Sequence, residues 1–415
     1  MNREHAEIVI IGGSHAGCEI AFRLRQGGLA GSIALLSAEH YLPYHRPPLS
    51  KAFLSGETTS ESLMLRSEAA YEKSNISWHP GTIVTVIDRA DHQLSLADGR
   101  KFIYEKLVLA TGGRPRVLPL PGAELGGIHT MRAIDDVVKL RPDFLPGKRL
   151  VIVGAGYIGL EVAAVAIKNG LEVEIVEFAP RALARVAGPE LSSFYEDVHA
   201  KMGVKFRFNT GVEGFLAADH DPSRVGVVRC SGGVDVKADL VLVAAGLVPN
   251  VELAKDAGLE IGNGIVVDEA NRTSDPDIFA IGDCTEFYLP YLGKRTRLES
   301  VPNALEQARV AAAALNGHPS PYAAVPWFWS DQYNLKLQSV GLGQGYDTVV
   351  QRPPRSADGF VAFYLKDGVV IAADCVNAIL EFNIAKKLVA EKVKVAPAAL
   401  ADTGVELKTL VPAKA

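Results

Sequence analysis

Strand-like and helix-like hydrophobic patterns alternate along the first forty residues. The β-branched run 8–11 leads into a glycine-rich turn at 12–17. An amphipathic helical pattern, a second strand at 32–36 and the acidic residue Glu39 follow. This order is typical of the strand–turn–helix–strand unit that binds a dinucleotide. The unit departs from the full G-x-G-x-x-G pattern at one position, where Ser14 replaces the middle glycine.

A second unit of the same kind spans residues 149–177. It has an apolar strand, the complete pattern Gly154-Ala155-Gly156-Tyr157-Ile158-Gly159, a helix, another strand and Glu177. The glycines let the backbone approach a pyrophosphate, and the helix N-terminus offers free N–H donors. Two such units predict two dinucleotides. Because Glu177 would repel a 2′-phosphate, we predict NADH at the second unit and, most economically, FAD at the first.

Three further apolar runs end in small or polar residues, as strands do at the ligand-binding edge of a parallel sheet. These ends are Thr111-Gly112-Gly113, Gly246 and Gly282-Asp283. Asp283 could accept a hydrogen bond from a ribityl hydroxyl of FAD, or it could cap the following turn. A helix that starts near Pro302 could direct its N-terminus at the flavin, where the helix dipole stabilises negative charge.

Composition and charge argue against several classes of protein. The chain has 415 residues, 48% hydrophobic and 22% charged, and a net charge of −5, which gives no general attraction to nucleic acid or an anionic membrane. No apolar stretch approaches the ~20 residues of a membrane span and no signal peptide is evident, so we expect a cytoplasmic protein. The four cysteines lie far apart, which argues against a redox-active disulfide, a metal site or a cluster held by this chain. We expect each to be a small buried hydrophobic residue.

Two segments outside the nucleotide units contain candidate cofactor contacts. In 41–51, three prolines are expected to keep the chain extended, with Ser50 capping a short helix that carries Lys51. Lys51 is either a surface lysine on a solvated loop or a cation held against the cofactor. Residues 325–415 show the pattern of a smaller α+β domain, in which Trp329 is either core or a planar wall beside a cofactor.

Six segments carry a family resemblance. They are 46–51, 107–115, 154–161, 282–284, 299–309 and 327–333. In these segments the chain resembles the putidaredoxin reductase family, the FAD-dependent NADH:ferredoxin reductases of bacterial cytochrome P450 and dioxygenase systems. The resemblance runs through essentially the whole chain, and the last two segments are specific to this branch of flavoproteins.

The resemblance implies a glutathione-reductase-like α/β fold with two Rossmann-like dinucleotide-binding domains and a smaller C-terminal α+β domain. The implied domains are 1–115 and 247–324 for FAD, 116–246 for NADH, and 325–415 at the C-terminus. Lys51 and Glu161 would pair beside the flavin as catalytic residues. Together with the nucleotide patterns, it gives as cofactor-binding residues Gly12, Ser14, His15, Ala16, Gly17, Ala38, Glu39, Arg46, Lys51, Val84, Ala110, Thr111, Gly112, Arg132, Gly154, Gly156, Tyr157, Ile158, Gly159, Glu177, Gly246, Gly282, Asp283, Val301, Pro302 and Trp329. Many relatives carry an acid at the position of Ala38, for which Glu39 is the alternative ribose contact here.

The activity implied by the resemblance is transfer of hydride from NADH to FAD, and of single electrons to a separate [2Fe-2S] ferredoxin that feeds a cytochrome P450. A dioxygenase ferredoxin or a rubredoxin is an alternative acceptor. Because ferredoxins are usually acidic, the candidate docking residues are basic, and each is equally explained as solvated surface charge. They are Arg66, Arg309, Lys386 and Lys387.

The sequence argues against two other classes of function. An NADH-sensing interaction switch resembling apoptosis-inducing factor would be expected to carry a long insertion or a targeting segment, and we find neither in the sequence. An NADH oxidase or peroxidase would need a reactive cysteine near the flavin, for which Cys18 is a poor candidate at the start of a predicted buried helix.

Overall fold

The structure is a computed structural model that describes residues 3–412. Strands and helices are numbered in chain order. The strands are β1 (Arg3–Ile11), β2 (Ile33–Leu36), β3 (Ile76–His79), β4 (Val84–Asp88), β5 (Gln93–Leu96), β6 (Lys101–Leu109), β7 (Gly113–Pro115), β8 (Ile128–His129), β9 (Arg149–Val153), β10 (Glu172–Val176), β11 (Lys205–Arg207), β12 (Val212–Ala218), β13 (Asp221–Cys230), β14 (Val234–Lys237), β15 (Leu240–Val243), β16 (Leu247–Pro249), β17 (Ile265–Val266), β18 (Ile278–Ala280), β19 (Thr285–Leu289), β20 (Lys294–Thr296), β21 (Trp327–Gln332), β22 (Leu335–Gly341), β23 (Thr348–Gln351), β24 (Phe360–Lys366) and β25 (Val369–Val376). The helices are α1 (His15–Gln26), α2 (Glu68–Lys73), α3 (Ile134–Leu140), α4 (Tyr157–Lys168), α5 (Pro189–Lys201), α6 (Glu252–Asp256), α7 (Val301–Leu315), α8 (Ile379–Ala390) and α9 (Pro397–Ala401).

The chain forms two compact units, and the first contains residues 3–45, 60–114 and 248–324. Its main sheet has the order β3-β2-β1-β6-β5-β4, with β18 also paired to β6. Strands β1, β2, β3, β6 and β18 are parallel, whereas β5 is antiparallel to β6 and β4 is antiparallel to β5. The carboxyl ends of β1, β6 and β18 therefore meet at one edge, where the predicted ligand-binding turns follow.

The core of the first unit lies between the main sheet and the helix pair α1 and α7. Ile20 and Leu24 of α1 are fully buried there. Ala304, Ala308 and Ala312 of α7 lie four residues apart and are also buried. Small side chains in such a row let the two helices approach closely.

The second unit contains residues 46–59, 115–247 and 325–412. Its nucleotide-type sheet is parallel, in the order β11-β10-β9-β15-β8, and it is accompanied by the antiparallel sheet β12-β13-β14. The C-terminal part is a five-stranded antiparallel sheet, β21-β22-β25-β24-β23, with helix α8 packed against β25 and β22. The predicted α/β fold with a smaller C-terminal α+β part is confirmed.

Two predictions for the proline-rich segment 41–51 were wrong. Residues Pro47–Ser50 form a 3₁₀ turn rather than an extended segment, because both prolines occupy its first positions, where an N–H is not needed. Ser50 ends this turn and caps no helix. Helix α7 begins at Val301, so Pro302 lies in its first turn as predicted, and Ser300 Oγ accepts a hydrogen bond from the backbone N–H of Asn303. Between residues 3 and 412, the helices are all too short or too polar to cross a membrane.

Candidate functional site

The first glycine turn requires its glycines for steric reasons. Gly12 has a φ of +120°, and a Cβ at this residue would lie 2.2 Å from the carbonyl oxygen of Ala110. A Cβ at Gly17 would lie 1.9 Å from the carbonyl oxygen of Gly12. Side chains at these positions would push β1, β6 and α1 apart. Because glycine has no Cβ, helix α1 can start directly at the end of β1. This arrangement presents backbone N–H groups to a phosphate.

The predicted ribose contacts lie beyond β2. Ala38 is exposed, and the half-buried Glu39 accepts a hydrogen bond from the hydroxyl of Tyr44 at 2.5 Å. The backbone N–H of Thr82 donates to the carbonyl of Ser37 at 2.6 Å, which brings the segment before Val84 to the carboxyl end of β2. The ribose assignment between Ala38 and Glu39 stays a prediction.

Asn250 fixes the turn that follows β6. Its side-chain nitrogen donates to the carbonyl of Thr111 at 2.9 Å, and its backbone N–H donates to the carbonyl of Gly112 at 2.9 Å. The hydroxyl of Thr111 donates in return to the carbonyl of Asn250 at 2.7 Å. This reciprocal set orders a turn of the predicted FAD site, and sequence reasoning assigned Asn250 no role in it.

Gln307 of α7 has the same function for the turn that follows β18. Its side chain is fully buried, and its Oε1 accepts a hydrogen bond from the backbone N–H of Gly282 at 2.7 Å. Its Nε2 donates to the hydroxyl of Thr285 at 2.9 Å. The Gln307 amide therefore bonds to residues on both sides of Asp283 in the sequence, Gly282 and Thr285. The sequence analysis did not identify Gln307.

The second glycine turn repeats the steric pattern of the first. Gly154 has a φ of +110°, and a Cβ there would lie 2.6 Å from the carbonyl oxygen of Ala244. A Cβ at Gly159 would lie 2.2 Å from the carbonyl oxygen of Gly154. At Gly156, by contrast, a Cβ would meet nothing within 4 Å. The helix start at α4 thus has open space over it and no capping side chain.

Glu177 is tied to this second turn. Its two carboxylate oxygens accept hydrogen bonds from the backbone N–H groups of Ala155 and Ala179, each at 2.7 Å. The ring of the next residue, Phe178, is 83% exposed. A cation that the sequence did not indicate lies beside Gly246. The Arg185 guanidinium is 3.3 Å from the position that a Cβ on Gly246 would occupy.

The predicted pair of Lys51 and Glu161 forms in the second unit. The Glu161 carboxyl group is buried, and its Oε2 lies 2.6 Å from the Lys51 ammonium. The Ser50 hydroxyl donates to the same oxygen at 2.5 Å, and the Ser330 hydroxyl donates to Oε1 at 2.7 Å. Both oxygens thus have donors, as a buried carboxylate requires.

The predicted site residues divide between the two compact units. In the second unit, Arg46 Nη1 donates to the carbonyl of Arg132 at 2.6 Å, and the half-buried Trp329 lies 5.4 Å from the ring of Trp327. The first unit carries Gly12, Ser14, His15, Ala16, Gly17, Ala38, Glu39, Val84, Ala110, Thr111, Gly112, Gly282, Asp283, Val301 and Pro302. The second carries Arg46, Lys51, Arg132, Gly154, Gly156, Tyr157, Ile158, Gly159, Glu161, Glu177, Gly246 and Trp329.

The four cysteines are all buried and free, as expected. Burial raises the pKa of the Cys18 thiol to about 11, which makes it a poor nucleophile. In the part of the chain that the structure describes, no group of three or more His, Cys, Asp or Glu side chains could hold a metal ion.

Comparisons with known proteins identify the family. The model of the pyridine nucleotide-disulphide oxidoreductases matches residues 6–308, and the model of the reductase C-terminal domain matches residues 327–411. Putidaredoxin reductase CamA of Pseudomonas putida is 45% identical over 98% of this chain and 97% of its own length. This chain belongs to the putidaredoxin reductase family. The enzyme is therefore an FAD-dependent NADH oxidoreductase of the ferredoxin reductase type, with FAD and NAD(H) as cofactors.

Two further matches to this reductase support the assignment. A solved structure of putidaredoxin reductase in a covalent complex with putidaredoxin has a TM-score of 0.94, with 44% identity and coverage of 98% of both chains. The ferredoxin–NAD(+) reductase component of an anthranilate 1,2-dioxygenase system from Burkholderia cepacia is 39% identical over 97% of this chain and 98% of that protein.

The residues of both units fit these cofactors. Each unit has a parallel sheet, a turn whose first glycine has positive φ, a helix that starts at the sheet edge, and an acid after the next strand. The open space over Gly156 and the glycine cap of α4 leave room and N–H donors for a pyrophosphate.

The contacts of Gln307 give a prediction for FAD binding. The substitution Gln307→Met keeps the length of the side chain but leaves the buried N–H of Gly282 without its acceptor, so the Gly282–Asp283 turn should loosen. We expect the dissociation constant of FAD to rise about tenfold, as for loss of one buried hydrogen bond. Fluorescence of FAD released on dilution measures this constant. The exposed Gln351→Met variant is the control, and an unchanged constant in Gln307→Met would contradict the assignment.

Proposed function

We propose that this reductase takes hydride from NADH onto FAD and passes electrons singly to a separate [2Fe-2S] ferredoxin that feeds a cytochrome P450. The observation that carries the proposal is the pair of glycine turns, one in each unit, in a chain similar over its full length to a reductase named for putidaredoxin. FAD supplies the chemistry, because it accepts two electrons as hydride and can release them one at a time. We assign 1–115 and 247–324 to FAD binding, 116–246 to NADH binding and 325–415 to the C-terminal domain.

We propose the predicted contact residues as the binding groups in each unit. In the first unit, the turns after β1, β6 and β18 would bind FAD through backbone N–H groups and Asp283. In the second unit, the N-terminus of α4 would bind the NADH pyrophosphate, and the exposed Arg185 cation is suitably placed to assist. Glu177 retains free lone pairs for a ribose diol and disfavours a 2′-phosphate, which supports NADH over NADPH.

Lys51 and Glu161 have proposed roles in the transfer itself. The Lys51 ammonium is only 19% exposed and is fixed by Glu161, so it can orient the nicotinamide and counter the negative charge that hydride transfer brings. The transfer needs alignment rather than an acid or base. The alternative, an ion pair that only stabilises the fold, predicts that loss of Lys51 changes stability and leaves the transfer rate unchanged.

The electron acceptor is proposed from relatives and surface charge. The solved complex with putidaredoxin supports a ferredoxin, and the dioxygenase-system relative supports a dioxygenase ferredoxin as the second candidate. Of the proposed docking residues, Lys386 and Lys387 are exposed on α8, and Arg66 lies over the ring of Phe22. Arg309 is less suitable as a probe, because it is paired with Glu306 and also donates to the Ser320 hydroxyl at 2.9 Å. The cytoplasmic location stays a prediction.

Anaerobic stopped-flow reduction tests the reductase proposal. NADH should bleach the flavin absorption in milliseconds to seconds, and NADPH should do so at least about tenfold more slowly at equal concentration, because of repulsion by Glu177. Cytochrome c reduction should then depend on added ferredoxin, with a P450-type ferredoxin the best of a panel that includes dioxygenase ferredoxins and a rubredoxin. Failure of NADH to bleach the flavin would reject the proposal, and bleaching without turnover on any of these acceptors would favour an NADH-sensing switch.

Lys387 gives the sharpest test of the docking surface. Lys387→Glu should raise the Michaelis constant for ferredoxin several-fold at low salt, because it introduces repulsion of an acidic partner, and the effect should shrink as salt is added. Turnover with NADH and ferricyanide reports on the steps before docking and should not change. Lys201→Glu, on α5, is the charge-matched control. Equal effects of the two variants, or equal loss of ferricyanide turnover, would exclude a docking role for Lys387.

A further inference from the structure

Strand β21 of the C-terminal domain presents alternate residues to the nucleotide-binding part of the second unit. The ring of Phe328 lies 4.5 Å from that of Tyr157. Two residues on, the Ser330 hydroxyl donates to Glu161, and after two more, Gln332 bonds to His199 of α5. Since side chains two residues apart share one face of a strand, one face of β21 makes all three contacts.

The polar contacts of this face continue through His199 to Tyr333, which follows β21, and form a chain of hydrogen bonds with one direction. The Tyr333 hydroxyl can donate to Nδ1 of His199 at 3.1 Å, and His199 Nε2 lies 2.8 Å from Gln332 Oε1. Gln332 Nε2 donates to the Ser330 hydroxyl at 3.2 Å, which in turn donates to Glu161 at 2.7 Å. Every donor then points toward the carboxylate, so each bond polarises the next.

Burial determines the protonation state of His199 and so the direction of these hydrogen bonds. Ser330, Gln332 and His199 are each at most 1% exposed. Burial lowers the pKa of His199 to about 4, so its imidazole is neutral at pH 7 and can accept at Nδ1 while it donates at Nε2. The hydrogen-bond chain therefore has one consistent assignment of donors and acceptors from Tyr333 to Glu161.

We propose that Ser330, Gln332 and His199 are positioning residues, which fix the Glu161 carboxylate and through it the Lys51 ammonium. The C-terminal domain would thus take part in hydride transfer by holding Glu161 on the side away from Lys51. The inference rests on the role proposed for Lys51, and none of the three residues touches the cofactor itself.

Loss of the Ser330 hydroxyl should release Lys51. Oε1 of Glu161 would be left buried without a donor, which favours either rotation of the carboxyl group or uptake of a proton. Rotation moves Oε2 away from Lys51, and protonation removes the charge that holds it. In both cases the ammonium keeps only its bonds to the Pro47 carbonyl at 3.1 Å and the Ser50 hydroxyl at 3.4 Å, so it becomes more mobile and more accessible to a reagent.

Reductive methylation of lysines in the FAD-loaded enzyme, followed by mass spectrometry, tests this directly and does not depend on turnover. We expect Ser330→Ala to raise the rate of Lys51 methylation about tenfold relative to the exposed Lys205 in the same sample, the size expected for loss of one bond to a charged group. Ser330→Thr retains a hydroxyl and should restore protection. Ser339→Ala is the matched control, because Ser339 is a serine of the same sheet that donates to another carboxylate, Asp374, at 2.6 Å.

Two further variants keep the test decisive. If Ser330→Ala does not retain FAD, Gln332→Met and His199→Phe interrupt the chain farther from Glu161 and should raise Lys51 methylation by smaller factors. An unchanged Lys51 rate in these variants, or an equal rise in Ser339→Ala, would overturn the inference. Hydride transfer in Lys51→Met separates the two proposals: an unchanged transfer rate would reject the role of Lys51, whereas the methylation result judges the chain of hydrogen bonds alone.

Discussion

The buried Glu161 carboxylate is the constraint on which the second unit depends. A charge in the interior requires donors for both oxygens, and this one obtains them from two segments, 50–51 and Ser330, that are far apart in the sequence. The 3₁₀ turn that ends at Ser50 is drawn to one oxygen and strand β21 to the other. This explains why residues 46–59, which follow the first glycine unit in the chain, belong to the second compact unit.

The two nucleotide sites share one steric device. In each, a glycine with positive φ lets the chain turn at the end of the central strand, and a glycine in the first helical turn lets the helix approach that turn. The first unit adds two buried or half-buried amides, Asn250 and Gln307, that fix the neighbouring turns by reciprocal hydrogen bonds. The backbone thus presents donors, and side chains from other elements hold it in place.

The features of the molecule that could be predicted from sequence are those set by local spacing. Both glycine turns, their strands and the small C-terminal domain follow from patterns within about thirty residues. The Lys51–Glu161 pair was expected only from family resemblance, because the two residues are 161 − 51 = 110 positions apart and no local rule joins them. Ser330, Asn250 and Arg185 were missed for the same physical reason, since their partners are distant in sequence. Gln307 was missed although its partners Gly282 and Thr285 are only 25 and 22 residues away, because no spacing rule joins a helix amide to a turn. Ser50 was given the wrong role because its hydroxyl serves Glu161 and not a helix start.

The central claim is that the charge of Glu161, and not only its volume, prepares the second unit for hydride transfer. Glu161→Gln keeps the size of the side chain but removes its charge and replaces one acceptor oxygen by a donor, so Lys51 loses its counter-ion. The most direct measurement is the limiting rate of anaerobic flavin bleaching at saturating NADH in this variant, after its FAD content has been confirmed. We predict a fall of at least about tenfold, as for loss of a preorganised charge in a site. A limiting rate equal to that of the unaltered enzyme would contradict it.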